Sequence, residues 1–211
     1  SRPDNFMLAF YVPYAVLFPT IVLLAMVNRY GADATAANGA VNQVVNYVQF
    51  PALSIAITAS ILGAQAIGGG HVDRLRNIMR TGLLMNVCIT GTLVLLGYLF
   101  SRHLVAMFIT AEPVVEMAQT LLHIMLWSIV LYGFATVVSG VMRASGAVLV
   151  PALISVACIM LVEVPSAWLL SAQCGLNGVW MAYPVTFASM LILQTLYYHL
   201  VWRRRKIERL V

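Results

Sequence analysis

Six apolar stretches of about 20 residues or more follow one another with little between them. They lie at about Phe6–Asn28, Ala34–Ile67, Asn77–Phe100, Val114–Val141, Val148–Ser171 and Leu176–Trp202. A run of that length spans a hydrocarbon core of roughly 30 Å. A backbone in lipid must satisfy its own hydrogen bonds, and for single runs that means helices. Composition agrees: apolar residues make up 62% of the chain and charged residues 9%, where a soluble domain carries roughly 25% charged residues. The expected fold is therefore all-α and integral to the membrane, a bundle of six transmembrane helices filling residues 1–211, with a basic tail at 203–211. The connections leave no room for a separate soluble domain. Ser1 is not an initiator methionine, so the expectation is a segment of a longer polypeptide.

The net charge of +5 invites a nucleic-acid reading, but its placement speaks for the lipid bilayer as partner instead. Arg203, Arg204, Arg205, Lys206 and Arg209 crowd the tail directly after the last span. Cytoplasmic flanks of membrane helices collect Lys and Arg. With the tail inside and six spans threaded, Arg2, Arg74, Arg76, Arg80 and Arg143 also fall on the cytoplasmic side, and only Arg29 and Arg102 fall outside. Both termini of this segment are thus expected in the cytoplasm of a cell bounded by a plasma membrane, the inner membrane in a bacterium.

Glycines and prolines punctuate the pattern. Gly31, the Gly68-Gly69-Gly70 run, Gly146 and Gly175 mark turns, and Pro113 suits the first turn of the fourth helix. Pro13, Pro19, Pro51, Pro165 and Pro184 interrupt spans, and bent helices bordering a cavity are common in secondary transporters. Proline is also commoner in membrane helices generally. Cys88, Cys158 and Cys174 have no paired or metal-ligand spacing and read as small packing residues.

The second span holds the clearest polar pattern. Asn38, Asn42, Asn46 and Gln49 recur at spacings of four, four and three and so share one helix face, with Gln43 and Ser60 near it. Amides facing lipid are costly, so the stripe should face protein or a water-filled cleft. It is either a cleft wall able to hydrogen-bond varied solutes, or a set of interhelical bonds.

Glu163 is the one carboxylate deep inside a span, two residues before Pro165. It should be protonated, paired or beside a cavity. Pro165 has no N–H, which leaves the Leu161 carbonyl without its usual helix donor. A carboxylate and a free carbonyl within one turn suit a proton or a small hard cation. The alternative is a structural acid bonded to a neighbour. His123, with Gln119 one turn before it, reads as a hydrogen-bonded packing histidine, while Tyr132 and Trp127 are bulky residues that either pack, the default reading, or contact an aromatic or cationic solute. No nucleophile elbow, carboxylate pair or metal-ligand cluster occurs, so no enzyme is expected.

Five short motifs in order resemble a known family. Gly63-Ala64-Gln65-Ala66-Ile67-Gly68-Gly69 is similar to the Gly-Gln-x-x-Gly stretch ending the eighth helix of multidrug and toxic compound extrusion (MATE) transporters. Phe108 with Glu112-Pro113-Val114-Val115 resembles the start of their tenth helix, and Gly140-Val141-Met142-Arg143-Ala144-Ser145-Gly146 with Pro151 their next turn. Val164-Pro165 and Gly175-Leu176-Asn177-Gly178-Val179-Trp180 resemble the last two helices.

The resemblance implies one lobe, helices seven to twelve, of a twelve-helix antiporter. Such proteins export amphipathic, often cationic, drugs in exchange for H+ or Na+ by alternating access, with no other cofactor. The partner is then an N-terminal six-helix lobe outside this chain. Acids that one branch carries in the seventh and tenth helices fall near Val16 and at Tyr132, and another branch keeps its acid in the first helix. Glu163 is the candidate substitute. A flippase for lipid-linked sugars is the alternative within the superfamily, but it would favour Arg or Lys deep in the spans. A non-transporting membrane scaffold is the alternative outside it.

Overall fold

The computed structural model describes residues 17–204, and these are helical with no strand among them. Helix α1 is described over Leu17–Asn28. It is followed by α2 (Ala32–Gly68), α3 (Arg74–Leu99), a short α4 (Ser101–Ala106) and α5 (Glu112–Ala144). The fifth span comprises α6 (Leu149–Cys158), a π-helical turn (Ile159–Glu163) and α7 (Val164–Cys174), and α8 (Leu176–Leu200) ends in a 3-10 turn at Trp202–Arg204. Among the described residues five helical segments are long and apolar enough to cross a membrane, at Ala32–Gly68, Arg74–Leu99, Glu112–Ala144, Leu149–Cys174 and Leu176–Arg204. The first part of the expected opening span, with Pro13, and the tail beyond Arg204 lie outside the described residues.

Helix α5 is the hub, packing on α2, α3, α4, α6 and α8. Lipid tails are as apolar as leucine, so helices associate here through close packing more than through apolar burial. Small residues make that possible. A Cβ on Gly140 of α5 would come within 2.4 Å of the Ala56 carbonyl oxygen of α2, and one on Gly63 within 2.6 Å of the Ala144 Cβ. Gly82 and Gly97 of α3 admit Val137 and Leu126 of α5 in the same way. The main core, in which Val41, Leu121, Leu122, Leu126, Ile129 and Trp180 are wholly buried, surrounds the Gly97 contact, while Ala144, against Gly63, lies in a separate cluster with Ile67, Leu75 and Met142.

The turn glycines behave as the sequence predicts, with Gly31, Gly70, Gly146 and Gly175 all at positive φ. Pro113 does open α5, while α2 continues through Pro51 and α8 through Pro184. Helix α2 runs for 37 residues, roughly 55 Å at 1.5 Å per residue. That exceeds the hydrocarbon core, so it must tilt or project into water.

Two features differ from expectation. Helix α4 is absent from the hydropathy pattern because six residues are too short to register, yet Val105 seats it fully in the main core. Cys88 and Cys174 are exposed, so the packing role holds for Cys158 alone, which lies buried among Ala135 and Met190. Cys88 occupies the outward face of α3, which lipid tolerates without packing.

The close α2–α5 approach makes a specific demand. Gly140→Ala should lower the stability of the full-length protein by about 1–3 kcal/mol through overpacking, read as a fall in the thermal midpoint. Gly91→Ala, with nothing within 4 Å of its Cβ, should be neutral or stabilising by up to about 1 kcal/mol.

Candidate functional site

The amide stripe begins inside the bundle and runs out of it. Asn38 is buried at 6% exposure, Asn42 and Gln49 are half-buried, and Asn46 and Gln43 are exposed. The reason is rotation along α2: Ala37, Val41, Val44, Val45 and Val48 face the α5 core, and the amides occupy the flank beside them. None of the four amides forms a hydrogen bond among the described residues, and the Asn38 Oδ1 is an orphaned buried acceptor. An exposed, unbonded amide face on a membrane helix is costly against lipid. This flank therefore suits water or another protein surface.

Tyr132 of α5 is half-buried, with its ring centroid 5.1 Å from that of Phe187 on α8. Trp180, also on α8, is fully buried and its indole N–H has no acceptor among the described residues. Trp127 is exposed on the outer face. The position aligned with the family's seventh-helix acid, Val16, lies outside the described residues.

Glu163 closes the π-helical turn and is buried at 7% exposure. The turn itself follows from Pro165, which withdraws one backbone donor and lets the helix widen by one residue; such π turns often coincide with functional sites. The carboxylate makes no hydrogen bond among the described residues, while the Tyr183 hydroxyl on α8 lies within electrostatic range. Tyr183 packs against both the main core and a second cluster of Leu23, Val27, Ala34, Ala167 and Val179. Ala34 is one turn before Asn38 and Ala167 one turn after Glu163. The cluster thus joins the helix segments that carry the two candidates, although no amide bonds the carboxylate.

His123 is hydrogen-bonded as expected but is exposed rather than packed into the core. Its Nε2 lies 3.0 Å from the Ser101 Oγ, which also accepts from Gln119 Nε2 at 3.1 Å. The Tyr98 hydroxyl donates to the His123 carbonyl at 2.8 Å. His71, His103 and His199 are exposed near helix ends.

Several buried polar groups escape sequence inspection. Asn86 of α3 is fully buried and donates to the Val130 carbonyl at 3.2 Å, in a notch left by Gly133. Gln194 of α8 donates to Ser155 Oγ of α6 at 3.0 Å. A groove of about 760 Å³ separates α2 from α3 and includes Ser54, Thr58, Gln65, Asn77 and Thr81. The four-residue spacing of Ser54 and Thr58 hints at this face, but both hydroxyls donate back to their own helix. None of Asn38, Asn42, Asn46 and Gln49 lines that groove.

The comparisons with known proteins agree with this geometry. The MatE family model matches residues 12–169. This chain belongs to the MatE family. A relative in Bacillus subtilis (strain 168), named "Probable multidrug resistance protein YoeA", is 46% identical over 193 residues, covering 90% of this chain and 42% of that protein. The Thermotoga maritima relative, named "Probable multidrug resistance protein NorM", is 23% identical over 180 residues, covering 83% of this chain and 38% of its own length. A crystallised MATE in complex with MaL6 superposes at a TM-score of 0.82 with 16% identity, over 90% of this chain and 43% of that one. A mutant of the Vibrio cholerae MATE transporter VcmN gives the same TM-score at 18% identity, over 92% and 44%. The chain spans less than half the length of the curated relatives it matches, and its fold is that of one MATE lobe.

The exposed flank of α2 is open to direct probing. With Cys88, Cys158 and Cys174 replaced by alanine in the full-length protein, cysteines at Asn42 and Asn46 should react several-fold faster with a polar, membrane-impermeant thiol reagent than one at Val41. Equal rates would place the amide flank against lipid or packed protein.

Proposed function

We propose that this chain is one lobe of a secondary active antiporter that exports amphipathic or cationic drugs in exchange for H+ or Na+. The MatE membership and the multidrug-resistance names of the relatives support the transport class. A second, N-terminal lobe of the same polypeptide faces the amide flank of α2, and the two lobes alternate access to a cleft between them. Asn38, Asn42, Asn46 and Gln49 then supply uncharged hydrogen-bonding groups to solutes of varied shape, with Tyr132 on α5 as an aromatic contact. The protein is multi-pass in the bacterial inner membrane. The clustering of Arg74, Arg76, Arg80, Arg143, Arg203 and Arg204 at helix ends on one side supports a cytoplasmic location for both termini of the segment.

The observation that carries the coupling role is Glu163: a buried carboxylate without a hydrogen bond, beside a π-helical turn. A carboxyl group in that position changes charge only when a proton or cation enters or leaves. Loading it favours one packing of α7 against α8, and emptying it another. Any ligand shifts such an equilibrium by its differential affinity for the two states. The proton or ion on Glu163 and a cationic solute then exchange for each other because a low-dielectric interior is neutral with either one present and carries an uncompensated charge with both or neither.

In proteoliposomes with an imposed ion gradient, Glu163→Gln in the full-length protein should reduce gradient-driven drug transport to the leak level while drug binding persists. Unchanged coupled transport would remove Glu163 from the mechanism. Loss of binding together with transport would assign it to the solute site instead.

A further inference from the structure

At the end of the bundle where α8 finishes, a groove of about 650 Å³ opens between α3, α5 and α8. Its mouth is cationic. Arg76 and Arg80 come from the first turns of α3, Arg203 from the 3-10 turn after α8, and His199 stands beside them. Arg76 and Arg203 both lie close enough to Tyr198 for their charges to act on its phenol, so cations from two helices converge across the groove.

Nothing nearby among the described residues neutralises them. Among the described residues the one salt bridge joins Arg102 and Glu112, and no acidic side chain lines the groove. Asp73, the nearest described acid in sequence, stands before the first turn of α3 and is not part of the lining. Away from the mouth the walls become apolar, with Leu84 and Val87 from α3, Phe134 from α5 and Leu191 from α8. Leu84 and Val87 are 57% and 49% exposed, so this part of the groove is open along its side.

The dimensions match half a bilayer. Residues 76, 80, 84 and 87 share one face of α3, and the rise from Arg76 to Val87 is roughly 16 Å. One leaflet of a hydrocarbon core of roughly 30 Å is about 15 Å deep. A cationic drug is repelled at the mouth, and a free soluble anion leaves the apolar wall unused. A phosphate head carrying an acyl chain satisfies both parts, since guanidinium groups bind phosphate in bidentate fashion and basic pockets between membrane helices hold lipid heads.

We propose that this groove binds an anionic phospholipid, its phosphate held by Arg76, Arg80 and Arg203 and one acyl chain laid along Leu84, Val87 and Leu191. The site is separate from the amide flank and from Glu163, and it stands whatever solute the transporter carries. The lipid bridges the N-terminal end of α3 and the C-terminal end of α8.

The test titrates detergent-solubilised full-length protein with phosphatidylglycerol and reads bound lipid by native mass spectrometry, with phosphatidylcholine as the zwitterionic control. Wild type should bind phosphatidylglycerol selectively, and R76Q/R80Q/R203Q should need about 100-fold more, at about a decade or less for each arginine lost. R74Q/R143Q, which removes two arginines outside the groove, should bind as wild type. Val87→Trp, which fills the apolar part and keeps every charge, should also weaken binding, and glycerol phosphate should not compete. Unchanged binding in the triple variant, an equal loss in R74Q/R143Q, or equal binding of phosphatidylcholine would each overturn the site. Wild-type affinity in Val87→Trp, or competition by glycerol phosphate, would overturn the lipid assignment.

Discussion

The close approach of α2 and α5 is the contact on which the rest of this bundle depends. In lipid there is little hydrophobic gain from joining two apolar helices, so they must fit backbone to backbone. Gly140 against Ala56 and Gly63 against Ala144 allow that fit. Once α5 is seated there, α3 and α8 fill its other sides, and the fifth span is left to pack chiefly on α8. The polar flank of α2 is then left without a hydrogen-bonding partner among the described residues, and Glu163 belongs to the described span least buried by others.

This arrangement separates two kinds of buried polarity. Asn86, Gln194 with Ser155, and the Ser145–Trp202 pair, with its 2.7 Å bond, each tie two elements together through one bond, Asn86 in the notch left by Gly133, although Asn86 Oδ1 and Gln194 Oε1 stay without a partner. Asn38, Trp180 and Glu163 tie nothing: each presents a polar atom without a hydrogen-bonding partner among the described residues. Unmet hydrogen-bonding capacity in a low-dielectric interior costs stability. Among the described residues it is spread over α2, α3, α8 and the π-helical turn, since Asn86 Oδ1, Thr90 Oγ1, Gln194 Oε1 and the Tyr197 hydroxyl also lack a partner. The arginines are kept to the helix ends, where the groove between α3 and α8 gives three of them a shared target.

Much of this was legible beforehand. Span boundaries fell within three residues of the observed helix ends from α2 onward, because a change from apolar to charged or glycine-rich sequence marks the membrane surface. The ordered motifs gave the family. Pro165 pointed to an interruption of the fifth span, since its missing N–H leaves the Leu161 carbonyl without its usual donor, but the π-helical form of the turn was not legible. The short α4, the outward orientation of Cys88 and the Asn86–Gly133 notch were not legible. The first is too short to register in the hydropathy pattern; the other two depend on which way a helix is rotated against its neighbours, and α5 is apolar on all sides, so its periodicity gave no direction. The α2–α3 groove was hidden for the same reason.

The account's central claim is that one carboxyl group, Glu163, trades its proton or ion against solute charge inside an otherwise uncharged interior. The most direct test is proton release from weakly buffered, purified full-length protein on addition of a cationic drug that it binds. The account predicts about one proton released per transporter when H+ is the coupling ion, and displacement of bound Na+ when sodium is, with neither seen in Glu163→Gln. Release of the same size in Glu163→Gln would contradict it and place the exchanging group in the other lobe.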